Sequence, residues 1–137
     1  MVYREVFRQF VLMDRRIVNT LDQVIDSYGL ALPQWKVIDF IDRSGTCTLV
    51  GISRYLSIEK PSVTRTIHSL EEKQLVEQVT GKDKREKRIR LTGLGKKIHT
   101  ACRNALDKTE LDLLKGISGR EQKILLRLLS TIQENLK

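Results

Sequence analysis

Residues 60–92, KPSVTRTIHSLEEKQLVEQVTGKDKREKRIRLT, decide the fold of this chain. The second half of this stretch places two segments with alternating apolar residues on either side of a polar turn, which predicts a β-hairpin. Six basic and two acidic side chains lie between Gly81 and Arg90, so half of the chain's formal net charge of +8 is concentrated on this element. Such a run is most often a solvated loop, but it can also bind phosphates.

The segment before the hairpin predicts a helix over residues 60–73, with Pro61 in its first turn, where the missing N–H has no intrahelical role. Its apolar face consists of Val63, Ile67 and Leu70. The opposite face is small, polar and basic, and comprises Pro61, Thr64, Arg65 and His68, flanked by Ser62 and Ser69. Such a face is either solvated or suited to a DNA major groove, where Arg65 would bond guanine O6 and N7. A short helix over 49–56 and a turn at 57–59 complete a helix-turn-helix candidate.

Long amphipathic helices are predicted at both ends of the chain. Apolar residues at spacings of three and four mark one helix over residues 2–28, and a second helix follows from Pro33 to about residue 44. We expect Thr92 to cap a helix that reaches residue 115. The expected inner face of that helix is Leu94, Ile98, Ala101, Cys102 and Ala105. A capping box at Ser118-Gly119-Arg120-Glu121 opens the final, strongly apolar helix.

The apolar stripes of these terminal helices exceed what the central helices and a small hairpin can cover. A homodimer would bury them by pairing the first helix and the last two with their copies in a second subunit. The expected interface residues are Val6, Phe7, Phe10, Leu125, Leu128, Leu129 and Ile132. A compact monomeric bundle is the alternative.

Composition narrows the class of partner. The 137 residues suffice for one domain with one core. A pI near 9.7 favours a polyanion, and an aromatic content of 5% argues against base stacking on single strands. The densest charge lies on a hairpin instead of an amphipathic helix, and no apolar run is long enough to cross a bilayer. We therefore expect a cytoplasmic protein that binds double-stranded nucleic acid and no membrane.

The cysteines and histidines indicate no metal site, no cofactor and no enzyme. Cys47 and Cys102 form no CxxC pair and are expected to be reduced thiols. Cys47 lies in the polar segment SGTCT and is the better candidate for a redox sensor, although a lone cysteine is usually structural. His68 and His99 have no metal-ligand spacing, and we expect no acid at helical spacing from either, so we expect no catalytic constellation.

Residues 57–97 closely resemble the winged helix-turn-helix core of the MarR (multiple antibiotic resistance regulator) family. The most specific motifs are the recognition-helix pattern S-V-T-R at 62–65 and the wing signature D-x-R-x-K at Asp83, Arg85 and Lys87. The segment LPQW at 32–35 resembles the start of the family's second helix, and the order of helices agrees over nearly the whole chain.

The resemblance implies a mainly α fold with a small β-hairpin wing in a single domain. The winged helix-turn-helix DNA-binding lobe would span residues 30–92, and long dimerisation helices would occupy 1–29 and 93–137. The implied function is that of a transcriptional regulator, most simply a homodimeric repressor that binds a palindromic operator in double-stranded DNA. A small phenolic or lipophilic effector would release it.

The resemblance also implies which residues contact DNA. The recognition helix would use Pro61, Ser62, Thr64, Arg65, His68 and Ser69. The wing would use Asp83, Lys84, Arg85, Lys87 and Arg88. Arg85 would enter the minor groove with its guanidinium held by Asp83, and the remaining wing cations would bind phosphates.

Gln74 departs from the family pattern, which usually has glycine at this position after the recognition helix. Either Gln74 adopts a left-handed conformation, at a cost of about 1 kcal/mol, or the helix extends by one residue.

The alternative function is a winged-helix module that binds proteins without sequence-specific DNA binding. Such a module would prefer no DNA sequence, whereas a specific regulator would prefer one sequence and lose affinity steeply as salt rises.

Overall fold

The computed structural model describes residues 1–80 and 87–137, which form six helices and three strands. In chain order these are α1 (Val2–Asp26), α2 (Leu32–Ser44), β1 (Cys47–Thr48), α3 (Leu49–Leu56), α4 (Lys60–Glu72), β2 (Val76–Thr80), β3 (Lys87–Leu91), α5 (Gly93–Leu113) and α6 (Gly119–Asn135). The chain divides into two compact units, Met1–Leu106 and Asp107–Lys137. Asp83, Lys84 and Arg85, three of the predicted wing contacts, lie outside the described residues.

The strands form one antiparallel sheet in the order β1-β3-β2. Val76 lies opposite Leu91 and Thr80 opposite Lys87, which confirms the predicted hairpin and gives its register. On its other side β3 pairs with β1, where Cys47 lies opposite Ile89. The mainly α fold with a small sheet is therefore confirmed, and β1 shields the second edge of β3.

The core of the first unit lies between the central helices and the sheet. Each of α2, α3 and α4 buries its apolar stripe there, and α1 contributes one fully buried residue near its end. The largest fully buried side chains are Ile25, Ile38, Ile41, Ile52, Leu70, Ile89 and Leu106. Because one face of each central helix is buried in this core, the opposite faces remain exposed to solvent or available to a partner.

The helix ends follow the predicted caps. Thr92 Oγ1 accepts a hydrogen bond from Gly95 N at 3.0 Å at the start of α5. At the start of α6 the capping box is complete, since Glu121 N donates to Ser118 Oγ at 3.1 Å and Ser118 N donates to Glu121 Oε1 at 3.0 Å. The hydrogen bond from the Ser118 backbone lowers the pKa of Glu121, because it favours the charged carboxylate.

The predicted inner face of α5 is right at Cys102, which is buried, and at Ile98, which packs against the core, but it is wrong at Leu94 and Ala101. Leu94 is 48% exposed and Ala101 is exposed, whereas the buried residues are Gly95, His99, Cys102 and Leu106. The helix turns this face inward because Gly95 packs directly on the backbone of Leu75, where a Cβ would lie only 2.1 Å from the Leu75 carbonyl oxygen. The spacing of apolar residues assigns neither glycine nor histidine to a core face, so it does not indicate that Gly95 and His99 are buried.

Cys47, the better of the two candidates for a redox sensor, is not exposed. The residue lies in β1 and is buried, because the polar segment around it pairs with β3 and does not form a loop. Burial raises the pKa of the Cys47 thiol to about 11, although the Arg88 charge acts in the opposite direction. A thiol with this pKa is protonated at neutral pH, which disfavours a role as a redox sensor. Burial raises the pKa of Cys102 to about 11 as well.

Gln74 takes the first of its two expected conformations. Its φ of 62° lies in the left-handed region, and the helix does not extend through it. Leu75 N donates to Leu70 O at 3.0 Å across this turn, and Thr92 Oγ1 donates to Gln74 O at 2.6 Å. The strain of about 1 kcal/mol is thus offset by bonds that direct the chain into β2.

The close approach at Gly95 can be tested against a matched glycine two residues earlier in the same helical turn. We expect Gly95→Ala to lower the free energy of unfolding by at least about 2 kcal/mol, because the methyl group would meet backbone and not a movable side chain. Gly93→Ala has nothing within 4 Å of the added Cβ and should leave stability unchanged or raise it by up to about 1 kcal/mol. Urea unfolding followed by circular dichroism measures both, and equal effects of the two variants would contradict the packing described.

Candidate nucleic-acid interface

The helix-turn-helix is built from α3, a tight turn and α4. Thr48 Oγ1 caps α3 by accepting from Gly51 N at 3.1 Å. Ser57, at φ 54°, ends that helix, and the turn is closed when Ile58 N donates to Ser53 O at 3.1 Å and Ser53 Oγ donates to Ile58 O at 2.5 Å. These paired bonds fix the direction in which α4 leaves the turn.

The two faces of α4 separate as the sequence predicts. Val63, Ile67 and Leu70 are buried in the core. On the opposite side Pro61, Thr64, Arg65 and His68 are exposed, and Ser62 and Ser69 are half-buried at the edges. The outer face is small and polar near its start, so it lets α4 approach another surface closely.

Arg65 lies at the centre of this outer face. Its Nη2 donates to Ser62 Oγ at 3.1 Å, one turn earlier on the same helix. A guanidinium carries five N–H donors, so this bond orients Arg65 and leaves donors for a bidentate contact with a base.

Ser69 differs from the other residues of the predicted face, because its hydroxyl accepts a hydrogen bond from Gln34 Nε2 of α2 at 2.7 Å. The sequence does not indicate this role of Gln34, since the contact spans thirty-five residues and follows from the packing of α2 on α4.

Both histidines have acidic partners, and the expectation of no acid at helical spacing is wrong for His68. His68 Nε2 lies 3.1 Å from Glu72 Oε1, four residues later on α4. His99 Nε2 lies 3.0 Å from Asp39 Oδ1 of α2. The first pair follows from ordinary helical spacing, and the second could not be read from spacing because its partners lie on different helices.

The His99 cluster is part of the packing between α5 and α2. The imidazole is buried and stacks on Trp35, with ring centroids 5.1 Å apart and an interplanar angle of 9°. Arg43 reaches Asp39 at 3.5 Å and donates to the Tyr55 hydroxyl at 2.9 Å. These polar and aromatic contacts link α5, α2 and α3 to one another.

The described part of the hairpin presents its cations in different environments. Lys87 is exposed at the end of β3, opposite Thr80. Arg88 is half-buried, and its Nε donates to Thr46 Oγ1 at 3.0 Å. Arg90 forms a cross-strand ion pair with Glu77 at 2.9 Å. Of these three side chains, Lys87 is the best placed to meet a phosphate directly.

The predicted dimer residues are largely exposed in the single chain. On α1, Val6 and Phe7 are exposed and Phe10 is half-buried, and α1 buries only Ile25. On α6, Leu125 and Leu128 are exposed, Leu129 and Ile132 are half-buried, and no residue is buried. Each helix thus carries an apolar face that the chain itself leaves open.

Other classes of site find little support in the residues that the structure describes. Within 1–80 and 87–137, no three His, Cys, Asp or Glu side chains are placed to hold a metal ion together. None of the described helices combines the length and apolar character needed to cross a membrane.

Comparison with known proteins gives relatives of one kind. The sequence model of the MarR family matches residues 28–86. Over 121 residues the chain is 32% identical to the uncharacterized HTH-type transcriptional regulator YwoH of Bacillus subtilis (strain 168), and this alignment covers 88% of both chains.

Solved structures share the fold over almost the full length. Staphylococcus aureus MarR in complex with salicylate and kanamycin matches with a TM-score of 0.89 at 24% identity, over 99% of this chain and 93% of that one. The S. aureus MepR-DNA complex matches with a TM-score of 0.83 at 21% identity, over 93% of this chain and 94% of that one. With the family model, the B. subtilis relative and the separated faces of α4 taken together, the chain belongs to the MarR family of transcriptional regulators.

Proposed function

We propose that this protein is a homodimeric repressor that binds a palindromic operator in double-stranded DNA and is released by a small-molecule effector. The observation that carries the proposal is the outer face of α4, which is exposed, small and basic while its opposite face is locked into the core. Residues 30–92 would form the DNA-binding lobe, and 1–29 with 93–137 the dimerisation region. The protein would act in the cytoplasm and would not be an enzyme.

In this proposal α4 lies in the major groove. Arg65, already oriented by Ser62, bonds guanine in a bidentate manner, and Thr64 and His68 reach neighbouring bases or phosphates. Pro61 and Ser62 are small enough to let the start of the helix come close to the base edges. Base contacts specify the sequence, so this helix determines which operator is chosen.

The wing binds the DNA backbone and the minor groove. Lys87 is exposed where β3 begins, and it would bind a phosphate together with Lys84 and Arg88. By the family pattern, Arg85 enters the adjacent minor groove and Asp83 holds its guanidinium. A narrow, A·T-rich minor groove attracts an inserted arginine, so Arg85 would read the shape of the DNA.

Dimerisation would cover the apolar faces of α1 and α6. Phe7 is 55% exposed and Leu128 is 46% exposed in a single copy. Large apolar side chains are rarely exposed to solvent in contiguous patches. Two-fold symmetry would place the two recognition helices about 34 Å apart, the spacing of successive major grooves on one side of B-form DNA. The complex of S. aureus MarR with salicylate supports a small molecule as the effector.

Selection of bound sequences from random duplex DNA tests the function directly. We expect an inverted repeat with half-sites centred about one helical turn apart, because the dimer and its operator share a two-fold axis. A promoter that carries the selected site should give less transcript in vitro when the protein is added. Selection of no sequence would favour the protein-interaction module, and a rise in transcript would make the protein an activator.

The role of Arg65 is tested by two substitutions. Arg65→Ala should weaken operator binding by about 1 to 3 kcal/mol and relax the preference at one base pair. Arg65→Lys retains the charge but cannot form the bidentate pair, so it should relax the same position with little change in the salt dependence. Lys87→Ala is the control for a phosphate contact and should weaken all sequences alike, reducing the salt slope by about 1. Titrations by fluorescence anisotropy at several salt concentrations separate these outcomes; unchanged specificity in both Arg65 variants would contradict the assignment.

The dimer interface is tested by placing a charge on each apolar face. Phe7→Glu and Leu128→Lys should each shift the protein from dimer to monomer in sedimentation equilibrium and strongly weaken operator binding, because a buried unpaired charge is unfavourable in an interface. Val50→Lys, at an exposed apolar residue of α3 outside these faces, is the control and should leave the dimer intact. A parent chain that is monomeric at micromolar concentration would refute the interface.

A further inference from the structure

Gln34 links the start of α2 to the end of α4 through its side-chain amide. Its Oε1 accepts from Ala31 N at 2.9 Å at the start of α2, and also from Lys73 Nζ at 3.1 Å. Its Nε2 donates to Ser69 Oγ at 2.7 Å. Lys73 Nζ donates in addition to Gly29 O at 2.7 Å. We call these three side chains, Gln34, Ser69 and Lys73, the anchor cluster.

The anchor cluster holds one end of α4. Ser69 lies in the last turn of the helix and Lys73 is its C-cap residue, so both bonds from Gln34 reach the helix near its carboxyl end. The Lys73 ammonium also opposes the negative end of the helix dipole, which favours its position there. The partners on the other side, Gly29, Ala31 and Gln34, belong to the junction between α1 and α2.

Arg65, the proposed base contact, lies on the same row of α4 as the anchor cluster. Arg65, Ser69 and Lys73 follow one another at intervals of four residues and therefore share one side of the helix. The helix rises by about 1.5 Å per residue, so Ser62 lies about 16 Å from the anchored end, and a tilt of about 5° would move it by about 1.4 Å. A shift of that size exceeds the range over which a hydrogen bond to a base keeps its geometry.

We propose that Gln34 is a positioning residue for DNA recognition, which sets the tilt of α4 through Ser69 and Lys73. This inference rests on the proposed function. It also reassigns Ser69, which acts through its bond to Gln34 and not through a bond to DNA. Because the junction follows α1, the same cluster ties the orientation of the recognition helix to the end of a proposed dimerisation helix.

A double-mutant cycle distinguishes positioning from DNA contact. Gln34→Met keeps the length of the side chain but removes every polar bond that Gln34 makes, and Ser69→Ala removes only the bond between Gln34 and Ser69. Each should weaken operator binding by roughly 3- to 10-fold, the size expected for loss of a single hydrogen bond. The double variant should bind no more weakly than Gln34→Met alone, since both changes break the same link.

Rescue by glutamate provides a readout that general loss of stability would not give. In Gln34→Glu the carboxylate can accept from Ala31 N, Lys73 Nζ and the Ser69 hydroxyl, so we expect operator affinity close to that of the parent. Binding to a random duplex should change little in Gln34→Met and Ser69→Ala, because neither substitution alters the charge that governs non-specific binding. Lys73→Met should weaken operator binding more than Lys36→Met, which removes the same charge from an exposed site on α2.

Affinities are measured by fluorescence anisotropy on the operator that the selection yields, on full-length dimeric protein well below its melting temperature. If Ser69→Ala weakened operator binding by the same factor in the parent and in the Gln34→Met background, the inference would be overturned and Ser69 would be a DNA contact. Parent-like operator binding by Gln34→Met would overturn it as well. A parent chain that selects no sequence would instead overturn the proposed function, so the two failures differ.

Discussion

The burial of one face of α4 is the interaction on which the rest of the structure depends. Val63, Ile67 and Leu70 fix the rotation of this helix about its axis, so Arg65 and Thr64 must point away from the core. Ser53 and Ile58 fix where the helix begins, and Gln34 holds where it ends. A helix fixed in rotation and at both ends presents its outer face as a rigid surface, which is what reading base edges requires.

The sheet and α5 are placed by a second constraint at Leu75. This buried residue follows the left-handed turn at Gln74, and its carbonyl accepts from Thr92 N at 3.0 Å. Gly95 then packs against the same peptide group, so the hairpin and the start of α5 are set by one short piece of backbone. The strain at Gln74 is tolerated because the bonds around it allow the chain to turn from α4 directly into β2.

Much of this architecture could be predicted from the sequence because it follows from local rules. The apolar stripe of α4 and the cap at Thr92 depend on neighbours within a few residues, and the hairpin follows from two alternating segments around a polar turn. The inner face of α5, the burial of Cys47 and the pairs His99–Asp39 and Gln34–Ser69 depend on contacts between elements. Periodicity cannot reveal them, since Gly95 and His99 are not apolar and Cys47 is buried only because β1 pairs with β3. The DNA-contact residues were proposed from their shared face, and the structure adds that Ser69 already has a partner within the chain.

In the proposed dimer, recognition and regulation depend on different parts of the molecule. Each copy holds its own α4 through the core and the anchor cluster, so neither needs the partner to form the surface that meets the bases. The separation of the two recognition helices is set by the interface, because an isologous contact places both copies by a single two-fold axis. A ligand that favours one separation over another therefore changes operator affinity without touching Arg65, and by linkage operator DNA changes the affinity for that ligand by the same factor. In this proposal α4 can therefore stay rigid within each copy while the distance between the two copies of α4 changes.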